Sequence, residues 1–277
     1  LEEVGECIDF AFAEVQGQDD EPRWLPMSHA DHDGLGGLSK LLKSRGLDVG
    51  TLPTQRDQEE PGFWDRLILT YSNVFKRNKH ICQWKSFRGD WLPEPGKPTR
   101  PSGLAWRCLA PETGMALHGA AKKQGASLNS LLLWAVDQAV SDLLLADKNV
   151  RFWSVPVNMR GPFKGYDPHS NQSSYLGVRL AQDTGVRDVH EAIKEQLKDR
   201  AHWRAWYAYT LLRSDRVTAR KRIDKFMQRQ GFAWCGAFTN LGEWPPNESP
   251  DARPGDSGAM WICHTIVMKS VPIGVAT

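Results

Sequence analysis

The sequence predicts a mixed α/β protein in which helices alternate with strands along most of the chain. The prediction rests on two kinds of segment: leucine-rich stretches with 3-to-4 spacing, and short β-prone apolar runs between them. The 277 residues, 40% of them apolar, suffice for a large core in one domain or two lobes. No internal repeat or low-complexity segment interrupts the pattern.

The first predicted elements surround a glycine-rich turn. Cys7–Val15 and Trp24–Ser28 are short apolar runs and are predicted strands. The turn Gly34–Gly37 leads into three leucines at helical spacing, and Gly46 supplies a helix stop. Two strands, a turn and a helix are therefore expected in this order.

A proline-rich segment divides the chain. Asp90–Gly103 contains four prolines, and proline at this density prevents a helix or a central strand. We interpret residues 90–103 as a linker between two lobes. Residues 1–95 then form a partial N-terminal lobe, and residues 104–277 form the C-terminal lobe.

The C-terminal lobe is predicted to contain both helices and strands. Glu112–Leu145 is predicted to form two helices broken at Gly125, and Val186–Tyr209 one long amphipathic helix. The predicted strands are Val150–Val157, Phe232–Leu241, Met260–Met268 and Val271–Val275.

Composition argues against several classes of protein. A formal net charge of +2 gives no reason to expect a nucleic-acid partner. The apolar run Ser127–Ala146 is interrupted by polar and acidic residues, so no membrane span is expected. Five scattered cysteines without a CxxC pair favour a reducing cytoplasm over disulfides or structural zinc. No basic-then-apolar leader follows Leu1, so we interpret the start as a processing boundary or fragment edge.

The stretch Ser28–Gly37, SHADHDGLGG, carries the chemistry between a strand and a helix. His29, Asp33 and Gly34 fit the pattern HxxxDG. An imidazole suits a general base for acyl transfer near neutral pH, and such a base contributes about 10²–10⁴-fold.

Two other interpretations of this stretch remain open. His29, Asp31 and His32 resemble the latter part of the HxHxDH motif of metallo-β-lactamase-type hydrolases, with Met27 in place of the first histidine. The stretch is also typical of a polar strand-to-helix turn whose aspartates cap the helix.

Three later segments accompany the HxxxDG pattern in a fixed order. They are a helix, a glycine and ASLNSLLLWAVDQA within Thr113–Ala139, VPVNMRG at Val155–Gly161, and FTNLG at Phe238–Gly242. From about residue 24 onward, this conjunction resembles the superfamily of chloramphenicol acetyltransferase and peptide-synthetase condensation domains. Wax-ester synthases and alcohol acyltransferases share it.

The resemblance implies a two-lobed chloramphenicol acetyltransferase-like fold with a tunnel between the lobes and an incomplete N-terminal lobe here. His29 would be the general base, acting on a small-molecule hydroxyl or amine acceptor. The acyl donor would be acyl-CoA or a phosphopantetheine thioester on an acyl carrier protein. No metal and no bound redox cofactor is implied, and the setting would be natural-product or lipid biosynthesis.

The resemblance also assigns supporting residues around His29. Asp33 would pair with Arg160 across the lobes rather than touch substrate, and Gly34 would allow a tight backbone turn. Asn158 and Asn240 would tie down loops near the tunnel, although strand-end capping explains both equally well. Independently of the resemblance, a buried arginine after an apolar strand requires a carboxylate partner.

The sequence departs from the superfamily pattern in two ways. Ser28 replaces the first histidine of the doubled HHxxxDG form, in which the second histidine is the base. Only 28 residues precede His29, where the superfamily has a long N-terminal segment. We therefore expect a fragment, a reduced variant, or a second chain that completes the N-terminal lobe.

Arg213–Lys225 is strongly basic and has two interpretations. It is either a solvated helix face or a dock for the phosphates of the donor. The residues named for docking are Arg216, Arg220, Lys221 and Arg222. For the whole chain, the alternatives to an acyltransferase are a catalytically silent binding or scaffold protein and a metallo-β-lactamase-like hydrolase.

Overall fold

The structure is a computed structural model, and it describes residues 10–15, 23–29, 31–46, 52–54, 59–75, 109–145, 150–162, 165–211, 235–242, 260–264 and 273–277. Its helices are α1 (Gly34–Ser44), α2 (Phe63–Phe75), α3 (Pro111–Lys123), α4 (Leu128–Leu144), α5 (Val186–Lys198) and α6 (Ala201–Leu211). Its strands are β1 (Phe10–Val15), β2 (Arg23–Met27), β3 (Arg151–Asn158), β4 (Ser173–Leu180), β5 (Gly236–Thr239), β6 (Met260–His264) and β7 (Ile273–Ala276). Helices and strands alternate along the chain, so the predicted mixed α/β class is confirmed.

The described strands form two sheets. In the first, β1 lies between β2 and β6 and is antiparallel to both. Phe12 of β1 is fully buried and packs with Leu38 and Leu41 of α1, so α1 covers this sheet. The second sheet has the order β4-β3-β5-β7, with β3 antiparallel to β4 and parallel to β5. Strand β7 extends it, parallel to β5.

The main core lies against the second sheet. Leu176, Val178 and Leu180 alternate along β4 and are all buried, because successive side chains of a strand point to opposite faces. Val189 and Ile193 of α5 follow helical i, i+4 spacing and pack into the same cluster. Both α5 and α6 pack against β4, so these helices cover one face of the second sheet.

A buried ion pair lies inside this core. Arg151 of β3 donates from Nη2 to Oδ2 of Asp137 on α4 at 2.6 Å, and Trp153 Nε1 donates to Asp137 Oδ1 at 2.7 Å. Both charged side chains are almost completely buried. Burial, with Asp137 adding to it, raises the pKa of the neighbouring Cys235 thiol to about 12, so this thiol stays protonated and packs as a small apolar group.

The predicted helix Val186–Tyr209 is wrong in one respect, because the structure divides it into α5 and α6. The break falls at Arg200, whose φ of 55° is left-handed and incompatible with a continuing helix. No glycine or proline marks this break in the sequence. The break at Gly125, with φ of 67°, agrees with the prediction because glycine adopts that conformation at little cost.

The proposed linker, residues 90–103, lies outside the described residues, so the division into 1–95 and 104–277 stays a prediction. The first sheet nevertheless contains segments from both sides of that division, since β6 pairs with β1. Within the part of the chain that is described, no helix is long and apolar enough to cross a membrane.

Candidate active site

The loop between β2 and α1 carries His29 and is folded tightly by its own backbone. The amides of Asp31 and His32 both donate to the carbonyl of Ser28, at 3.2 and 3.0 Å. Asp33 then caps α1, because its Oδ1 accepts from the Gly36 amide at 2.8 Å. The turn and the cap together place His29 just before the N-terminus of α1.

The imidazole of His29 is half-buried and makes a hydrogen bond to the backbone of its own loop. Its Nδ1 lies 2.9 Å from the backbone carbonyl oxygen of His32. A carbonyl oxygen only accepts, so Nδ1 carries the hydrogen, and in the neutral ring Nε2 carries the lone pair. The local fold thus selects the tautomer in which Nε2 is the basic atom.

Asp33 and Arg160 form a buried, bidentate ion pair between the start of α1 and the loop that follows β3. Arg160 Nη1 donates to Asp33 Oδ2 at 2.8 Å, and Nη2 donates to Oδ1 at 2.7 Å. The two side chains are 6% and 3% exposed, so solvent does not screen the interaction. The contact expected from the sequence is present.

Every remaining donor of the Arg160 guanidinium is also satisfied. Nε donates to the Pro168 carbonyl at 2.8 Å, and Nη2 donates to the Ser170 carbonyl at 2.8 Å. The second hydrogen of Nη1 reaches Asn158 Oδ1 at 3.2 Å. All five N–H groups of the guanidinium therefore have acceptors, and the loop from β3 to β4 is wrapped around this one side chain.

The carboxylate of Asp33 is equally saturated. Asp33 accepts two hydrogen bonds from Arg160 and one from the backbone amide of Gly36 at the start of α1. In addition, its Oδ2 accepts from the backbone amide of Gln172 at 2.8 Å. Four donors occupy the two oxygens, which is the full capacity of a carboxylate. Both oxygens of Asp33 therefore make all their hydrogen bonds within the fold.

The two asparagines named from the sequence have different surroundings. Asn158 donates from Nδ2 to the Pro53 carbonyl at 2.7 Å and accepts from the Arg160 amide at 3.0 Å, which ties a distant segment to the pair. Asn240 is exposed, and its Oδ1 accepts from the Gly242 amide at 2.7 Å, a local turn after β5. The expected role of Asn240 near a tunnel stays a prediction.

Asn171 is a site residue that the sequence analysis did not find. Its Nδ2 donates to the carbonyl of His29 at 2.7 Å, and its backbone amide donates to the carbonyl of Asp31 at 2.9 Å. Its own Oδ1 accepts from the amide and hydroxyl of Ser173, at 3.2 and 2.9 Å. Asn171 therefore holds the backbone of the histidine loop from the loop between β3 and β4.

The glycines at the start of α1 are closely packed and have ordinary backbone conformations, and the space is more restricted at Gly36 than at Gly34. Gly34 begins α1 without a positive φ, and a Cβ there would lie 3.0 Å from Leu241 Cδ2. Gly36 is more restricted, because a Cβ would lie 2.7 Å from the His169 carbonyl carbon and 2.9 Å from Arg160 Nη2. The expectation that Gly34 provides a tight turn is thus replaced by close packing at both positions.

The surroundings of His32 do not match the metallohydrolase interpretation. His32 Nδ1 donates to the His169 carbonyl at 2.7 Å, and the Lys40 ammonium lies 3.1 Å from Nε2. An ammonium at Nε2 occupies the position from which this ring would bind a cation. In the described stretches, no group of three or more His, Cys, Asp or Glu side chains is arranged to hold a metal ion.

The basic segment Arg213–Lys225, with its four docking candidates, lies outside the described residues. The role proposed for Arg216, Arg220, Lys221 and Arg222 therefore stays a prediction.

The chain is similar to several solved structures. Polyketide synthase associated protein 5 from Mycobacterium tuberculosis matches with a TM-score of 0.48 and 13% identity, over 92% of this chain and 65% of that chain. The epimerization domain from the third module of tyrocidine synthetase B matches with 0.47 and 14%, over 79% and 53%. The first condensation domain of the CDA synthetase matches with 0.44 and 18%, over 91% and 55%.

This chain spans 53% to 65% of the length of those three chains. The sequence matches no protein-family model and no curated protein.

Proposed function

We propose that this chain is an acyltransferase of the HxxxDG type, which moves an acyl group from a thioester to a hydroxyl or amine acceptor. The observation that carries the proposal is the hydrogen bond from His29 Nδ1 to the His32 carbonyl. It leaves the lone pair on Nε2 of the neutral ring, which is the state that a general base requires.

In the proposed reaction one proton is transferred, one bond to the carbonyl carbon forms and the carbon–sulfur bond breaks. Nε2 of His29 takes the proton of the acceptor while the acceptor oxygen or nitrogen forms a bond to the thioester carbonyl carbon. The tetrahedral intermediate then expels the thiolate as the carbon–sulfur bond breaks. The imidazolium returns its proton to the thiolate, which leaves His29 neutral for the next turnover.

The fixed geometry around Asp33 supports the same proposal in a second way. Its carboxylate accepts four internal hydrogen bonds, so its role is to hold the histidine loop and not to accept a proton from substrate. Asn171 holds the same loop through the His29 carbonyl. A base confined by two independent sets of contacts is preorganised, which is how positioning lowers a reaction barrier.

The donor, in this proposal, is acyl-CoA or an acyl group on the phosphopantetheine arm of a carrier protein, and the acceptor is a small molecule. A pantetheine thioester supplies the reactive carbonyl in both cases. No resident cofactor takes part in the proposed steps.

The direct test measures thiol release from a panel of acyl-CoAs and acyl-pantetheines, with mixed alcohol and amine acceptors. His29→Ala is expected to reduce acceptor-dependent release by about 100-fold or more, the contribution of a general base. His118→Ala on α3 is the matched control and should leave the rate within a factor of two. Acceptor-dependent release that His29→Ala leaves intact would remove His29 from the mechanism.

An absence of release from every donor, including acyl-carrier protein, would favour the catalytically silent scaffold over the acyltransferase. Stoichiometric zinc, manganese or iron in the purified protein, with hydrolysis lost on chelation, would favour the metallohydrolase instead.

A further inference from the structure

The proposed function leaves unused a second histidine of the motif stretch, His32, whose ring lies between two partners. Its Nδ1 donates to the backbone carbonyl of His169 at 2.7 Å, and its Nε2 lies 3.1 Å from the ammonium of Lys40 on α1. A carbonyl oxygen only accepts and an ammonium only donates, so the ring hydrogen is on Nδ1 and the lone pair on Nε2. The neutral ring therefore presents its basic atom to a lysine nitrogen.

These three groups have the arrangement of an activated nucleophile. Such a site needs a nucleophile within hydrogen-bond reach of a base, about 2.6–3.2 Å, and a third group that orients the base. Here Lys40 Nζ is the nitrogen, His32 Nε2 is the base, and the His169 carbonyl orients the ring. Nδ1 keeps its acceptor when Nε2 gains a proton, so the same carbonyl also stabilises the imidazolium that forms.

Lys40 is open to solvent, whereas its base is partly enclosed. The Lys40 side chain is exposed and the His32 side chain is half-buried. Within the described ranges Lys40 forms no ion pair, so no carboxylate there holds its ammonium. A reagent from solvent can therefore reach Nζ while His32 stays on the other side of that nitrogen.

Lys43, one turn further along α1, makes a similar contact with a poorer base. Its ammonium lies 3.2 Å from His169 Nε2. The opposite ring nitrogen, His169 Nδ1, is buried without a hydrogen-bond partner in the described part of the chain, so no acceptor orients this ring. Burial lowers the pKa of His169, and the charge of Lys43 lowers it further. Lys43 is thus an internal comparison for Lys40, on the same helix and equally exposed.

We propose that Lys40 is a self-acylation site, at which the lysine nitrogen takes the acyl group of a thioester with His32 as the base. The Lys40 ammonium first loses one proton to solvent, and the uncharged Nζ forms a bond to the thioester carbonyl carbon. His32 Nε2 takes a second proton from that nitrogen, and the intermediate expels the thiolate as the carbon–sulfur bond breaks. The imidazolium then returns its proton to the thiolate, which leaves an amide on Lys40 and a free thiol. This goes beyond the proposed acyl transfer, because the acceptor is the protein itself and His29 takes no part.

The test measures acetyl-lysine in the full chain incubated with acetyl-pantetheine at pH 8, with no alcohol or amine acceptor added. Acetyl-pantetheine carries no phosphate, so attraction of an anion to the lysines does not contribute to the rates. Peptide mass spectrometry gives the acetylation rate of each lysine. Lys40 is expected to react about tenfold faster than Lys43 and than Lys122, an exposed lysine of α3. This factor is below the roughly 10²–10⁴-fold of a base in an enclosed active site, because the lysine is exposed.

The variant His32→Asn separates the base from its structural hydrogen bond. The asparagine amide nitrogen can still donate to the His169 carbonyl, whereas the basic Nε2 is absent. We expect this variant to lower the Lys40 rate to that of Lys122. His118→Asn on α3 is the matched control and should leave the Lys40 rate unchanged.

Equal rates at Lys40, Lys43 and Lys122 would overturn the proposal, and this comparison uses the wild-type chain, so it does not depend on whether a variant folds. A Lys40 rate that stays high in His32→Asn would overturn it too, because Lys40 would then react without His32. So would the absence of acetylation at all three lysines. The measurement follows acetyl-lysine and not acceptor-dependent thiol release, so this proposal and the proposed function can fail separately.

Discussion

Asp33 and Arg160 use their whole hydrogen-bonding capacity inside the fold, and this explains how two charges are tolerated in a buried position. Each oxygen of the carboxylate accepts twice, and each guanidinium hydrogen has an acceptor. Burying a charge is costly unless it is paired and fully hydrogen-bonded, as it is here. Removing one partner leaves the other as an uncompensated buried charge.

Asp33→Ala is therefore expected to lower the free energy of unfolding by about 3–5 kcal/mol, measured by urea titration at pH 7. The matched control is Asp65→Ala, which removes an ion pair with Arg200 at 2.8 Å whose side chains are half exposed. An exposed pair contributes about 0–1 kcal/mol. A loss below 1 kcal/mol for Asp33→Ala would contradict the buried pair.

At the residue scale, part of the candidate site was predictable from the sequence. The HxxxDG pattern and the strand-end arginine predicted which two side chains meet. Asn171 was not predictable, because it acts on the backbone carbonyls of a loop 142 positions away, and carbonyls carry no sequence signal. The contact of His169 with Lys43 of α1 was missed for a similar reason, since 126 positions separate the two residues.

Among the helices, α1 is the one whose position decides the site. It begins at the Asp33 cap and presents a small-residue face, which includes the buried Gly36, to the loop between β3 and β4. The absence of a side chain at Gly36 lets the His169 carbonyl and the Arg160 guanidinium approach the helix backbone. The closeness of α1 to this loop is what allows the Asp33–Arg160 contact.

Gly36→Ala is expected to destabilise the protein by about 1–3 kcal/mol, because a Cβ there overpacks against backbone. In the proposed reaction it should also lower the rate, since α1 and the histidine loop must shift together. Gly114→Ala in α3 gives the opposite sign: a Cβ there has nothing within 4 Å, and alanine in a helix is favoured by about 0.5–1 kcal/mol. The midpoint of thermal unfolding is expected to fall for Gly36→Ala and to rise for Gly114→Ala. A shift in the same direction for both variants would contradict this interpretation.

Most elements were predictable because their hydrophobic period is clear, and the exceptions have physical causes. The sequence analysis missed α2, whose exposed apolar side chains obscure an amphipathic pattern, among them Phe63, Trp64 and Ile68. It missed β4, where glycine and serine dilute the apolar alternation. It merged α5 and α6, because the break between them depends on the left-handed conformation of Arg200. Arginine seldom adopts this conformation, and no residue type in the sequence indicates it.

At the scale of the whole molecule, helix α6 packs against both β4 of the second sheet and helix α2, and it carries a buried histidine. His202 is 1% exposed, and Ser174 of β4 donates to its backbone carbonyl at 2.6 Å. Burial lowers the pKa of His202 from 6.5 to about 4, with the charges of Arg204 and Arg200 contributing. The folded protein therefore favours the neutral ring.

This pKa predicts a loss of stability in mild acid. The His202 side chain takes up a proton near pH 6.5 in the unfolded chain and only near pH 4 in the folded chain. The contribution of neutral His202 to stability is therefore fully present above pH 6.5 and is lost as the pH falls from 6.5 to 4. The loss amounts to about 3 kcal/mol by pH 4. Urea titrations from pH 4 to 8 should show this slope in wild type and a flatter one in His202→Phe. Identical slopes would contradict the assignment.

The pairing of β6 with β1 has a consequence for how the protein is made. About 245 residues separate Val15 from its partner Met260, and at 5–20 residues per second a ribosome needs roughly 12–49 s to synthesise that interval. Until then β1 and β2 are a two-stranded hairpin, which has little stability of its own in water. A nascent chain therefore exposes the HxxxDG loop until residues 260–264 have been synthesised, because the sheet beneath that loop is incomplete before then.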